Sequence, residues 1–281
     1  MTVIWELDFY SRPVLDENQK RIWELLVCNS DRSFEWVQQC PAAEVNSTWL
    51  ANQLSAAIEA SGKTPQKVRF LRAAMSNIIT RGCKQAGLSP QASRHVFALE
   101  TWLQERMQSV YPQMSGFQVA DPQPLPLQVE RLQPQPLPDA LIGDRWLSVS
   151  LPANDLTSAE AWSMDFGEVF AMPQLEPDLA IPGLIIVSAR ALPLAAWMSG
   201  VDPVFLKFES NAIDRMQLLL DAGAGDRWIL TNLQAAKDGK SIAEGKAFET
   251  AKQRAQGIHF LAIQKDPEIE HFEGFWLLKE S

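Results

Sequence analysis

The stretch "IWELDFYSRPVLDENQKRIWELLVCN" (Ile4–Asn29) decides how the chain begins to fold. Ile4–Val14 and Arg21–Asn29 are rich in aromatic and branched apolar residues, and the polar "LDENQK" between them supplies a turn. The two segments therefore predict a β-hairpin. "SFEWVQQCP" (Ser33–Pro41) predicts a third strand. In "NSTWLANQLSAAIEASG", Asn46 or Ser47 is placed to cap a helix. Leu50, Leu54, Ala57 and Ile58 follow its period, and Gly62 stops it. "KVRFL" (Lys67–Leu71) predicts a short strand, and a helix over about Ala73–Ala86 ends at Gly87. A further helix is expected to open with Ser89 as cap and Pro90 at its first position, with Val96, Leu99, Leu103 and Val110 as its buried stripe. Three strands followed by helix–strand–helix is an α+β, or mixed α/β, layout.

Moving outward, the clearest boundary is "DPQPLPLQVERLQPQPLPD" (Asp121–Asp139). Its prolines fix φ and remove donors, so no helix or central strand can run through it, and an extended linker between two domains is expected. The chain divides on this basis into an N-terminal domain at 1–118, a Pro-rich linker at 119–140 and a C-terminal domain at 141–281. Beyond the linker, "RWLSVSL", "DFGEVFAMP", "PGLIIVSA" and "VFLKFES" read as strands, and "MQLLLDAGAGDRWILTNL" as a hairpin turning at Gly223–Gly225. "AEGKAFETAKQRAQG" reads as an amphipathic helix, and "IHFLAIQ" and "EGFWLLK" as closing strands. Each domain is thus expected to be a largely antiparallel sheet flanked by helices.

The 281 residues include 46% hydrophobic and 21% charged, a globular composition. The longest mainly apolar run, Ile181–Val187, is far too short to cross a bilayer as a helix, and Glu6 and Asp8 interrupt any signal segment. Cys28, Cys40 and Cys83 lack metal-ligand spacing and read as reduced thiols of a cytosol-like compartment. The net charge of −9 is unevenly spread: residues 1–120 carry 12 Lys and Arg against 11 Asp and Glu, and residues 121–281 carry 13 against 23.

Catalytic templates fail. Gly239-Lys240-Ser241 ends like a phosphate-binding loop, but the glycine needed five residues earlier is Gln234, and "GAGDRW" lacks the third glycine of a dinucleotide motif. His95, His259 and His271 stand singly, and His259 in its apolar strand reads as a hydrogen-bonded core residue. A first-strand carboxylate, Asp8, ahead of a three-strand meander is how RNase-H-like, two-metal nucleases begin, so the N-terminal domain is expected to share that topology. The following segment, however, offers only Glu44 and Glu59 as further carboxylates, and a structural role for Glu6 and Asp8 beside Arg12 or Arg21 stands as the alternative. No catalytic residue, metal site or cofactor is assigned.

The strongest polar signal is a window. From Ala60 to Leu99 there are seven bases (Lys63, Lys67, Arg69, Arg72, Arg81, Lys84 and Arg94) and no acid. Such a face attracts phosphates by releasing counterions, and Arg69 and Arg72 can fork onto phosphates or stack on bases. Docking against the acidic C-terminal domain explains the same charge equally well.

Several segments carry a resemblance. "WELDFYSRP" (Trp5–Pro13), "WELLVC" (Trp23–Cys28), "RFLRAAM…ITRGC" (Arg69–Cys83), "SRHVFALETWLQER…VYP" (Ser93–Pro112), "EGKAFETAKQRAQGIHFLAIQ" (Glu244–Gln264) and "GFWLL" (Gly274–Leu278) resemble the Tab-two family, RNA-binding factors of cyanobacteria and chloroplasts. The family is named for translation of the B subunit of the photosystem I reaction centre. The resemblance implies binding of single-stranded A/U-rich leader RNA, a role in translation and biogenesis of photosystem proteins, and no enzymatic reaction. It also implies that Trp276, Leu277 and Leu278 take part in RNA binding. Candidate RNA-binding residues are therefore Lys67, Arg69, Arg72, Arg81, Lys84, Arg94, Trp276, Leu277 and Leu278. Translation or photosystem-assembly proteins are further partners under this reading, and a non-enzymatic assembly scaffold is the alternative. The start of the chain suggests a cyanobacterial member in the cytoplasm or peripheral to thylakoids. On physical grounds alone, Trp276-Leu277-Leu278 reads first as a strand apolar on both faces that closes a core.

Overall fold

The computed structural model describes residues 3–118, 133–212, 215–269 and 271–280. It divides into two compact units, Met1–Glu130 and Arg131–Ser281. Residues 119–132, most of the expected linker, lie outside the described residues.

In the first unit, β1 (Ile4–Leu15), β2 (Arg21–Asn29) and β3 (Glu35–Cys40) form an antiparallel meander. Helix α1 (Ser47–Ser61) follows, capped by the Asn46 side chain, which accepts from the Trp49 amide at 2.9 Å. Strand β4 (Lys67–Phe70) returns parallel to β1, α2 (Ser76–Gln85) crosses over, and β5 (Pro90–Ala92) adds parallel to β4. Helix α3 (Phe97–Ser109) completes the unit. The strand order β3-β2-β1-β4-β5, an antiparallel meander extended by two parallel strands, is the RNase-H-like arrangement expected from the first three strands.

Alternation along the strands explains the layering. Trp5, Leu7 and Phe9 of β1, with Leu25, Val27, Val68 and Phe70, pack against α1 and α2. Leu26, Cys28 and Leu71 face the other way, toward Leu99, Trp102 and Leu103 of α3. A sheet covered on both faces needs apolar residues at both parities, which is why β2 reads as a continuous apolar run. The expected helix start at Pro90 is corrected: Pro90 opens β5, and α3 starts only at Phe97. An edge strand tolerates a residue without an N–H, so the proline has a second legitimate position.

The second unit contains β6 (Gln135–Pro136), β7 (Arg145–Pro152), α4 (Ala153–Leu156), β8 (Met164–Glu168), β9 (Ala180–Val187) and α5 (Ala191–Val201). It continues with β10 (Pro203–Ala212), β11 (Arg215–Ala222), β12 (Asp226–Gln234), α6 (Ala235–Arg254), β13 (Ile258–Gln264) and β14 (Phe272–Lys279). A five-stranded sheet runs β7-β9-β13-β14-β8, and a four-stranded sheet runs β10-β11-β12-β6. The end of the Pro-rich stretch is thus part of the fold: β6 pairs with β12 at a sheet edge, and Leu137 is buried. Helix α5 was not foreseen. Its sequence, "ALPLAAWMSGV", is apolar nearly all round, so it carries no amphipathic signature, although only the face of Ala191, Leu194, Ala195 and Met198 is buried and Leu192 is 51% exposed. Gly239-Lys240-Ser241 lies within α6, so its backbone is helical rather than looped around a phosphate.

Candidate nucleic-acid interface

Of the expected RNA-binding bases, Arg81 and Lys84 are exposed on α2, and Lys67 is half-exposed as the first residue of β4. Lys63, just beyond α1, is also exposed. Topology gathers them. Helix α2 runs back against β4, so its last turn, which carries Lys84, reaches the end of the sheet where β4 begins. There the Val68 amide donates to Ser89 O at 2.8 Å and the Gln66 amide donates to Val3 O at 2.8 Å. Among the described residues, none of these four cations makes an ion pair. Arg69 and Arg94 are buried, at 1% and 8% exposure. The alternation of β4 accounts for Arg69, which points with Leu71 to the α3 face, away from Val68 and Phe70.

Arg72 lies just past the end of β4, and its position is fixed by the first strand. Its Nε donates to Asp8 at 2.5 Å, and its guanidinium sits 3.9 Å above the Tyr10 ring. Arg12 donates to Asp8 at 2.7 Å and to Glu24 at 3.0 Å; Arg106 and the Tyr111 hydroxyl also donate to Glu24, at 2.7 and 2.5 Å. Two buried carboxylates are therefore matched by three guanidiniums and a phenol, and each of their four oxygens accepts a charged or hydroxyl donor. Burial pushes the Asp8 carboxyl up, but the charges and hydrogen bonds of Arg12 and Arg72 outweigh it and hold the group below the usual range. Burial raises the Tyr111 phenol to about 12, with Arg12 opposing and Glu24 adding to the rise. Glu6, on the same face of β1, accepts from the Leu99 amide at 2.8 Å in the first turn of α3.

The tail residues occupy the interior of the second unit. Strand β14 lies between β13, antiparallel, and β8, parallel. Trp276 and Leu278 enter the core shared with α5 and the four-stranded sheet; Phe275 and Leu277 enter the opposite core, beside Phe260 and Trp162. Trp276 is 2% exposed, and Leu277 and Leu278 are fully buried. Cover on the Trp276 side comes from α5, whose Ala195 lies next to Gly274 and the indole. Beyond the strand, Glu280 pairs with Lys252 of α6 at 2.6 Å and with Lys207 at 2.7 Å, and its amide donates to Gly257 O. Gly257 has φ +84, and a Cβ there would stand 2.1 Å from the Glu280 carbonyl oxygen, so the α6–β13 turn requires glycine. His259 is buried as expected: its Nε2 accepts from the Leu206 amide and its Nδ1 faces Gly257 O, both at 2.8 Å. Burial, reinforced by the Lys252 charge, lowers its pKa to about 3 and keeps it neutral. Cys28, Cys40 and Cys83 are buried free thiols. Burial raises Cys40 to about 11 and Cys83 to about 12.

Comparison with known proteins adds the identity that geometry alone does not give. The family models described as "RNA-binding protein Tab2/Atab2 N terminal" and "RNA-binding protein Tab2/Atab2, C-terminal domain" match residues 4–106 and 124–279. The chain belongs to the Tab2/Atab2 family. Its maize (Zea mays) relative, named "Protein TAB2 homolog, chloroplastic", is 38% identical over 98% of this chain and 70% of its own length. The Arabidopsis thaliana protein of the same name is 35% identical over 98% of this chain and 74% of its own length. A Tab2/Atab2 member is an RNA-binding protein, and the two compact units carry the family's two domains. The cytoplasmic location expected from the sequence is overturned, because both of these Tab2/Atab2 relatives are chloroplastic. Among the described residues no helix is long and apolar enough to cross a membrane.

Proposed function

We propose that this Tab2/Atab2 member binds single-stranded, A/U-rich leader RNA and, through it, supports translation and biogenesis of photosystem proteins without catalysing a reaction. The observation that carries the proposal is the set of solvent-facing cations, Lys63, Lys67, Arg81 and Lys84, gathered at one end of the first unit without ion-pair partners among the described residues. Cations left unpaired in a chain of net charge −9 are available to phosphates, whose counterions they release. The non-enzymatic part rests on Asp8 and Glu24. A nuclease of this topology needs carboxylate oxygens free for metal ions. Here Arg12, Arg72, Arg106 and Tyr111 use all four.

The test is a salt titration of binding to a single-stranded A/U-rich oligoribonucleotide. Replacing Lys67, Arg81 and Lys84 together by Gln is expected to flatten the log–log slope by about 2, at roughly 0.7 per lost phosphate contact. An unchanged slope and affinity would remove this surface from RNA binding. Cleavage of the oligonucleotide by wild type with Mg²⁺, lost on Asp8→Asn, would overturn the non-enzymatic part.

A further inference from the structure

At the opposite end of β4 the first unit presents a ladder of aromatic rings. Phe9, fully buried, stacks on Trp49 with centroids 5.4 Å apart and planes at 12°, and meets Trp23 edge-on at 6.1 Å. Trp23 meets Tyr10 edge-on at 5.7 Å, and the Arg72 guanidinium carbon lies over the Tyr10 ring, 3.9 Å from its centroid. Tyr10, Trp23, Trp49 and Arg72 all reach solvent around the buried phenylalanine. Three partly exposed aromatics, Tyr10 from the middle of β1, Trp23 from β2 and Trp49 from the first turn of α1, pack on the core with one side and leave apolar ring surface wet on the other.

Arg72 indicates what that surface receives. Its Nε and Nη2 are committed to Asp8, which fixes the guanidinium plane; Nη1 has no hydrogen-bond partner among the described residues. The residues that follow, Ala73 and Ala74, are small and exposed, so nothing bulky screens it. Helix α2 then starts with no side-chain cap and no acid in its first turn. A rigid arginine with an unused N–H pair, next to ring faces, matches one nucleotide: a π-face for the rings and a phosphate for the cation.

We propose that Tyr10, Trp23, Trp49 and Arg72 form a stacking pocket for an unpaired nucleobase, with Arg72 Nη1 taking the adjoining phosphate. The proposal rests on the RNA-binding function proposed above and names where a base, rather than the backbone, is held. Helix α2 joins this pocket to the cations at its far end: Arg72 stands just before the helix, and Arg81 and Lys84 lie in its last turns. Ten helical residues span about 15 Å, so a single strand laid along α2 meets stacking at one end and charge at the other. A duplex cannot use the pocket, because its bases are paired and stacked. Preference for unpaired RNA follows from this geometry.

The experiment compares wild type, Tyr10→Leu, Trp23→Leu and the Lys67/Arg81/Lys84→Gln variant, all checked for native circular dichroism. Binding is measured to an A/U-rich oligoribonucleotide, to its abasic ribose-phosphate counterpart and to the corresponding duplex. Each ring variant is expected to lose about ten-fold in affinity for the single strand and to bind the abasic strand and the duplex as wild type does. Tryptophan fluorescence of the wild type should be quenched by the single strand and not by the abasic one. Ring variants that fold and bind the single strand like wild type overturn the pocket while leaving RNA binding by the cations intact. Wild type that fails to bind any of the three at low salt overturns both. A proline-rich peptide that quenches the tryptophans where RNA does not would assign the rings to protein recognition instead. If both leucine variants unfold, Arg72→Gln, which leaves Arg12 on Asp8, is expected to weaken binding of the single strand and its abasic counterpart but not of the duplex, and unchanged binding of the single strand overturns the pocket.

Discussion

Replacing Trp276 by alanine separates the two meanings of the Trp-Leu-Leu tail. The indole is 2% exposed and lies over Gly274 beside Ala195 of α5, on a strand hydrogen-bonded along both edges. A tryptophan buries on the order of 150–250 Å², which at about 25 cal/mol per Å² amounts to roughly 4–6 kcal/mol. Truncations of buried tryptophan cost about 3–5 kcal/mol, and the two figures agree. For a unit of this size each kcal/mol moves the midpoint by about 2–4 °C, so Trp276→Ala should melt roughly 6–20 °C below wild type. Leu277→Ala, which opens the opposite core, should destabilise the unit as well, by about 2–5 kcal/mol. Circular dichroism gives the melts, and RNA affinity is then measured well below the variant midpoints. Both variants should bind RNA within about two-fold of wild type there, and lose it only as they unfold. A variant that melts like wild type yet binds RNA ten-fold more weakly would refute this reasoning and place the tail in contact with RNA.

Further outcomes follow from the other networks. Asp8→Asn leaves Arg12 and Arg72 beside a neutral amide, so the denaturant midpoint of the first unit should fall by an amount equivalent to about 3–5 kcal/mol. His259, with a folded pKa of about 3, is below its unfolded value of about 6.5. The unfolded chain therefore takes the proton first, and stability is complete above about pH 6.5 and lost as pH falls toward 3, by up to about 1.4 kcal/mol per unit. An urea-midpoint profile of His259→Gln should lack that slope between pH 6 and 4. Gly257→Ala should destabilise the second unit severely, since its Cβ would meet the Glu280 carbonyl in a left-handed backbone; a thermal melt close to wild type would show that the turn can rearrange.

Much of the architecture was legible because it follows from local rules. The Ile4–Asn29 hairpin, the Asn46 cap, the Gly62 stop and the buried two-faced strand at Phe272–Lys279 are where residue pattern and fold agree. Helix α5 shows no amphipathic pattern because apolar residues such as Leu192 also stand on its exposed face, so the buried Ala191, Leu194, Ala195 and Met198 are not set apart. Strand β6 was missed because two residues inside a proline run pair only through a distant strand. The basic window was read as one face, yet the alternation of "KVRFL" already separates Arg69 from the exposed cations once a helix covers the second face. The stacking of Arg72 on Tyr10 joins residues 62 positions apart and depends on β1–β4 pairing, which no single segment announces.

The place of β14 between β8 and β13 also sets the order in which the second unit can be assembled. Strand β8 ends at Glu168, and β14, its strand partner in this sheet, is not made until Phe272–Lys279. At about 5–20 residues per second, that delay is on the order of ten seconds of synthesis. For most of it β8 has no strand to pair with, and once Ile258–Gln264 is made β13 presents an open edge as well, the kind that pairs with other chains. A chain stopped at Lys265 would carry those two edges permanently. Its expected fate is capture by chaperones or aggregation, so loss of the last strand would appear in a cell as loss of the protein before it appeared as loss of RNA.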